Sequence, residues 1–129
     1  MKDLDQARNL LRMAENDYRA LQGMEDSEVF SAEIFGFHVQ QAVEKALKAW
    51  LCCVSVTYPK IHDLDALGTL LEDTGHSIPP SITSLLDFTD FAVTFRYDAF
   101  PDLEGDIDRQ DCLIQVEALL KHVNDILKF

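Results

Sequence analysis

Apolar residues recur at helical spacing in five segments of the chain, and this pattern predicts five helices. The first runs from about Leu4 to Gln22, with Asp3 and Gln6 spaced for a capping box and Gly23 as a stop. The second and last helices show the fullest apolar faces. These faces consist of Phe35, Val39, Ala42, Val43, Ala46, Ala49 and Trp50, and of Cys112, Val116, Leu119, Leu120, Val123, Ile126 and Leu127.

Turn-forming and capping residues separate these segments. Asp26 or Ser27 is expected to cap the second helix, and Asp63 to cap a short third helix. Pro79-Pro80 fits the start of a fourth helix, which stops near Arg96-Tyr97. An exposed acidic connection over residues 98–108 then leads to the last helix. The sequence therefore predicts an all-α fold, an antiparallel up-and-down helical bundle of about five helices in a single domain over residues 1–129.

Composition narrows the possible functions. The 129 residues are 47% hydrophobic and 26% charged, which is typical of a globular domain, and no apolar run approaches the roughly 20 residues of a membrane helix. No signal peptide is recognisable, so we expect a cytoplasmic protein. The formal net charge of −12 would repel phosphate backbones, which makes broad nucleic-acid binding unfavourable. A local basic pocket could still bind one phosphate-bearing ligand.

A second apolar set accompanies the second helix. Its members are Phe30, Ile34, Phe37 and Leu51, which alternate with polar residues away from the main apolar face. A helix with one wet face would not need them. We therefore expect this helix to be covered from two directions, by its own bundle and by a second subunit, with these four residues at the interface of a homodimer.

A polar stripe on the same helix is the main candidate for ligand binding. His38, Gln41, Lys45 and Lys48 follow spacings of three, four and three residues, which places them on one side of the helix. If the stripe faces a cleft, the lysines could hold a phosphate and Gln41 a base or ribose of a small nucleotide. The alternative is a solvated face on which Glu44 pairs with Lys48.

The remaining chemical candidates are few. His62 could cap the third helix or meet the polar stripe across the bundle. The three cysteines, Cys52, Cys53 and Cys112, form no CxxC pair and are predicted to be reduced core residues. The acidic connection fails the EF-hand pattern because Ile107 stands where glycine is needed. We predict no metal site and no cofactor.

The chain resembles the HEPN family. Two stretches and the Arg96-Tyr97 pair carry the resemblance, the stretches being Gln40-Gln41-Ala42-Val43-Glu44-Lys45-Ala46-Leu47-Lys48-Ala49 and Tyr58-Pro59-Lys60-Ile61-His62-Asp63-Leu64. The resemblance implies a small helical bundle, usually dimeric. It also implies one of three roles: a ribonuclease toxin, the partner of a separately encoded minimal nucleotidyltransferase, or an accessory module. A toxin–antitoxin role is an expectation from these relatives alone.

Arg96 bears on whether the chain is an enzyme. In the ribonuclease branch, the resemblance implies a histidine four to six residues after this arginine, but the sequence after Arg96 reads Tyr-Asp-Ala-Phe-Pro-Asp-Leu. We therefore predict a non-catalytic module that binds a nucleotide or a nucleotidyltransferase, with Gln41, Lys45, Lys48, His62 and Arg96 as candidate nucleotide contacts. Two alternatives stay open: a metal-independent ribonuclease in which Arg96 acts with a noncontiguous group such as His62 or Tyr97, and a structural dimeric scaffold. Arg96 could also be structural.

Overall fold

The structure, a computed structural model, describes residues 3–92 and 107–128. It contains four α-helices, α1 (Leu4–Gln22), α2 (Ala32–Cys53), α3 (Leu64–Asp73) and α4 (Arg109–Leu127), and a 3₁₀ helix over Pro80–Ala92. No strand occurs within these two described ranges, which confirms the all-α prediction. The antiparallel up-and-down order stays a prediction. Within the described ranges, no helix is both long and apolar enough to cross a membrane.

Side-chain caps explain where the α-helices begin. The carboxylates of Asp3, Asp63 and Asp108 each accept a hydrogen bond from the backbone N–H three residues later, as a helix N-cap does. The first of these contacts is half of the predicted capping box, and Asp63 caps α3 as predicted. Gly75 follows α3 with a φ of 92°, a left-handed conformation that glycine adopts without steric cost.

The predicted start of α2 was wrong. Ser31, not Asp26 or Ser27, caps this helix, because its hydroxyl accepts a hydrogen bond from the Ile34 N–H. Asp26 instead forms a separate turn: its carboxylate accepts from the Glu28 N–H and its carbonyl from the Phe30 N–H. Asp26 therefore provides hydrogen-bond acceptors for the N–H groups of Glu28 and Phe30 in a turn that precedes the helix.

Helix α2 forms the centre of the fold and contacts the other three α-helices and the 3₁₀ helix. All seven residues of its predicted apolar face are buried. Leu51, however, is also fully buried, at 0% exposure. The expectation that Leu51 lies on a second, dimer-facing side was therefore wrong, because the chain itself covers α2 there.

Two polar contacts position α1 beside α4. The Tyr18 hydroxyl donates a hydrogen bond to the Glu117 carboxylate over 2.8 Å. Arg109, the first residue of α4 and 8% exposed, donates to the Met24 carbonyl over 2.7 Å, and its guanidinium lies 5.0 Å from the Phe35 ring centroid. This buried arginine therefore connects the start of α4 to the α1–α2 connection and to α2.

The predicted fourth helix begins at the expected prolines but is a 3₁₀ helix. Ile82 and Leu85 bury their side chains in the core, and the Thr89 hydroxyl accepts a hydrogen bond from the Leu64 N–H over 3.0 Å. The 3₁₀ helix is thereby joined to the start of α3. The predicted stop near Arg96-Tyr97 lies outside the described residues.

Trp50 lies where α2, α4 and the segment after α3 meet. It is 2% exposed, with ring centroids 4.7 Å from His122 and 6.4 Å from His76, both in edge-to-face geometry. Such contacts between aromatic rings add to the energy of burial itself.

Candidate functional site

Glu44, in the middle of α2, is the centre of a polar network. Its side chain is 9% exposed. One oxygen, Oε1, accepts a hydrogen bond from the Gln40 amide over 2.8 Å and lies 2.9 Å from Nδ1 of His62. The other, Oε2, accepts from the Lys48 ammonium over 3.0 Å. This carboxylate therefore joins two neighbouring turns of α2 to the connection that precedes α3.

Gln40 holds the network in place. Its side chain is fully buried, and its amide nitrogen donates both to Glu44 and, over 3.1 Å, to the backbone carbonyl of His62. Its amide oxygen accepts from the Gln41 side chain over 2.7 Å. Buried polar groups are stable only when they are satisfied in this way, so Gln40 and Glu44 belong together in the fold.

The network sets the acidity of Glu44. Burial on its own would raise the pKa of this carboxyl, but the hydrogen bonds from Gln40, Lys48 and His62 and the positive charge of Lys48 together outweigh it. The pKa of Glu44 therefore lies below its usual value, and the group is ionised at neutral pH. An ionised Glu44 attracts and orients the cationic and hydrogen-bonding groups around it.

His62 meets the stripe on α2, as one of the two sequence interpretations expected. Its side chain is 63% exposed, while Nδ1 is engaged with Glu44. The nitrogen left for other contacts is Nε2. A carboxylate that fixes one nitrogen of a histidine and leaves the other accessible is an arrangement that can transfer protons.

Lys45 belongs to a second cluster, between α1 and α2. Its ammonium lies 2.6 Å from Oδ2 of Asp17, and the two side chains are 20% and 17% exposed. The His38 ring nitrogen Nδ1 lies 4.0 Å from the other oxygen of Asp17. The carboxylate of Asp17 therefore neutralises Lys45 and connects α1 to α2.

The predicted stripe is thus divided between two carboxylates. Lys48 and His62 contact Glu44 directly, whereas Gln41 reaches this network through Gln40. Lys45 instead contacts Asp17. The Glu44–Lys48 pair of the solvated-face interpretation is present, and Lys48 also lies 5.6 Å from the Tyr58 ring centroid. Arg96 lies outside the described residues.

The sequence interpretation missed the residues that organise the two clusters. Asp17 organises one cluster, and Gln40 and Glu44 organise the other, in which Glu44 is the centre. Gln40 and Glu44 are spaced four apart on a helix, which was a usable signal. Asp17 lies 28 residues from Lys45 and gave none.

Comparison with known proteins identifies the family. The model of the HEPN domain matches residues 7–129. The chain belongs to the HEPN family. A search of curated proteins found no match, and neither did a search of solved structures.

The apolar candidates for an interface in this HEPN domain differ in exposure. Ile34 is 36% exposed. Phe37 is half-buried, with its ring 5.6 Å from that of His38, and Phe30 precedes α2 and packs partly against the core. Leu51 is internal. Three of the four residues therefore keep some accessible surface, and an interface formed by them stays a prediction.

The three cysteines of the HEPN domain are buried and form no disulfide, as predicted. Burial, with smaller effects of Asp111 and Asp108, raises the pKa of Cys112 to about 11. Burial also raises the pKa of Cys52. Neither thiol is activated for nucleophilic chemistry. Over residues 3–92 and 107–128, no group of three or more His, Cys, Asp or Glu side chains could hold a metal ion.

Proposed function

We propose that this HEPN chain is a non-catalytic module that works as a homodimer and acts by binding another protein. Family resemblance suggests that this partner is a separately encoded nucleotidyltransferase. One observation carries the preference for a protein partner over a nucleotide. Both stripe lysines are already paired with carboxylates of their own chain, Lys45 with Asp17 at 2.6 Å and Lys48 with Glu44 at 3.0 Å.

A phosphate at the stripe would compete with these carboxylates for the two lysines. It would bring further negative charge beside two ionised groups, in a chain whose formal net charge is −12. The clusters instead stabilise the packing of α1 and α3 against α2. The nucleotide contacts predicted for Gln41, Lys45, Lys48, His62 and Arg96 stay a prediction. Binding a phosphate there would cost free energy, because it would bring the phosphate close to the carboxylates of Asp17 and Glu44.

The test uses the purified 129-residue chain and a purified minimal nucleotidyltransferase. Size-exclusion chromatography with light scattering should show a homodimer alone and a stable complex after mixing. Thermal unfolding with and without ATP should show no rise in Tm. A rise in Tm that vanishes in both Lys45→Ala and Lys48→Ala would favour the nucleotide instead. Absence of both effects would leave a structural scaffold.

A ribonuclease is the second candidate, because Glu44 fixes the ring of His62 while 63% of that side chain stays exposed. Such a histidine could replace the one missing after Arg96 as a proton-transfer group. Incubation with mixed RNA decides between the functions. Cleavage that is lost in both Arg96→Ala and His62→Gln would establish the enzyme, and no cleavage at high protein concentration would remove it.

A further inference from the structure

A groove of about 420 Å³ lies between the N-terminal half of α1 and the C-terminal end of α4. Its lining combines three cations with an apolar part. The residues are Arg8, Leu11, Arg12 and Glu15 on the α1 side, and Asn124, Leu127 and Lys128 on the α4 side. This volume is within the range of binding sites in proteins, and none of the residues belongs to the Glu44 or Asp17 clusters.

The cations in this groove are less neutralised than the stripe lysines. Arg12 donates to the uncharged amide of Asn9 over 2.6 Å, and Arg8 pairs at 3.3 Å with Asp5, whose side chain is fully exposed. An ion pair as exposed as Arg8–Asp5 is weak. Within the described ranges, Arg12 and Lys128 have no carboxylate within 4.0 Å, and Glu15, the acid of the lining, pairs with none of the three cations.

The groove is a local exception in an acidic protein. The chain has 11 lysines and arginines against 23 aspartates and glutamates, and three of the 11 line this surface. A second groove of about 310 Å³ provides the contrast. It is lined by residues that include Asp3, Cys52 and Tyr58, and it contains no lysine or arginine. An anionic partner is therefore attracted to the first groove and not to the second.

We propose that the α1–α4 groove binds an acidic, amphipathic segment of a partner protein. Carboxylates of this segment would contact Arg8, Arg12 and Lys128, and an apolar side chain between them would cover the accessible part of Leu127. Leu11, at 3% exposure, closes the floor of the groove and offers almost no surface of its own. This proposal rests on the proposed function as a protein-binding module and names the surface that it uses.

The arrangement of the cations favours a peptide segment over a compact anion. Arg8 and Arg12 are one helical turn apart, so their guanidinium groups can each hold a separate carboxylate. Lys128 follows the end of α4, on a different element. Cations distributed over two elements fit several single charges along an extended ligand.

The test measures fluorescence anisotropy of a short labelled peptide in which glutamates flank leucines. Arg12→Glu should weaken binding about tenfold or more, because it replaces a charge-assisted hydrogen bond with repulsion. Arg19→Glu is the matched control, since Arg19 is also exposed on α1 and also donates to the asparagine three residues before it, Asn16. Arg19 does not line the groove. Its variant should bind within about twofold of the wild type, because it tests only long-range charge.

Two further peptides test each half of the recognition. Replacing the leucines with serines, or the glutamates with lysines, should abolish most of the binding. Equal weakening by Arg12→Glu and Arg19→Glu would overturn the proposal, as would binding that survives loss of the leucines. Full displacement of the peptide by inorganic phosphate would indicate a small-anion site and would also overturn it.

The same variants separate this inference from the proposed function. A nucleotidyltransferase complex that forms equally well with wild type and Arg12→Glu would leave the protein-binding function standing and would show that it does not use this groove. No complex, but peptide binding that is specific for Arg12, would support the groove while the proposed partner is rejected. Arg12 is exposed and caps no helix, so we expect both variants to keep the circular dichroism of the wild type.

Discussion

Oε1 of Glu44 lies 2.9 Å from Nδ1 of His62, so the middle of α2 is fastened directly to the connection that precedes α3. We predict that Glu44→Gln lowers the free energy of unfolding by about 1–3 kcal/mol, because it removes the charge that holds Lys48 and His62. Urea unfolding at neutral pH measures this change. Glu72→Gln, on the exposed side of α3, is the control and should change stability by no more than about 0.5 kcal/mol.

The contribution of Glu44 should depend on pH. Its pKa is lower in the folded chain than the value of about 4.3 usual for an unfolded glutamate. The stabilisation is therefore complete above the unfolded pKa and is lost as the pH falls through the folded one. The difference in stability between wild type and Glu44→Gln should shrink between about pH 6 and about pH 3. A difference that stays constant over this range would contradict the lowered pKa.

The Asp17–Lys45 pair should couple α1 to α2 energetically. A double-mutant cycle with Asp17→Asn and Lys45→Gln should give a coupling energy of about 1 kcal/mol, because both side chains are largely shielded from solvent. The exposed Asp5–Arg8 pair is the control and should give no measurable coupling. Additive effects of the two substitutions would mean that Lys45 is free to bind a ligand.

Substitution of the buried Leu51 should lower the stability of the fold, whereas substitution of the partly exposed Phe37 should change the oligomeric state. Leu51→Ala should destabilise the chain by about 2–5 kcal/mol, because it leaves a cavity in the core.

Phe37→Glu should dissociate the proposed homodimer, since Phe37 keeps accessible surface on α2. Sedimentation velocity measures this dissociation. An unchanged sedimentation coefficient in Phe37→Glu would contradict an interface at this residue.

Cys112 should resist alkylation in the native chain. With a pKa of about 11, its thiolate fraction at about pH 8 is roughly a hundredfold smaller than that of an exposed cysteine, before burial limits access further. Mass spectrometry after treatment with iodoacetamide should find Cys112 unmodified in buffer and modified in urea. Rapid labelling in buffer would show that the N-terminal part of α4 opens readily.

Local features of the sequence predicted most of the fold. Asp3 and Asp63 cap helices by contacts that span only three residues, so their roles could be read directly from sequence spacing. The start of α2 could not be read from sequence spacing, because Asp26, Ser27 and Ser31 are all residue types that cap helices well. Partial burial of Phe30 against the core accompanies the choice of Ser31, and that packing is a tertiary effect.

The candidate site was less predictable for the same reason. Lys48 and Glu44 are one turn apart, and their pairing was a sequence interpretation that the structure contains. The His62 and Asp17 contacts join residues 18 and 28 positions apart. Leu51 was assigned to the wrong environment because its own chain covers α2 at this position, and periodicity alone does not show which element covers a helix face. Long-range packing decided the His62, Asp17 and Leu51 outcomes.

The position of Trp50 equips the chain with a spectroscopic reporter of its own assembly. It is the single tryptophan in the sequence, it is 2% exposed, and rings from α4 and from the segment after α3 flank it. Its emission should therefore move to longer wavelength whenever either neighbour separates from α2 and water reaches the indole. Loosening of the bundle on partner binding, acidification or mutation can thus be followed without any label.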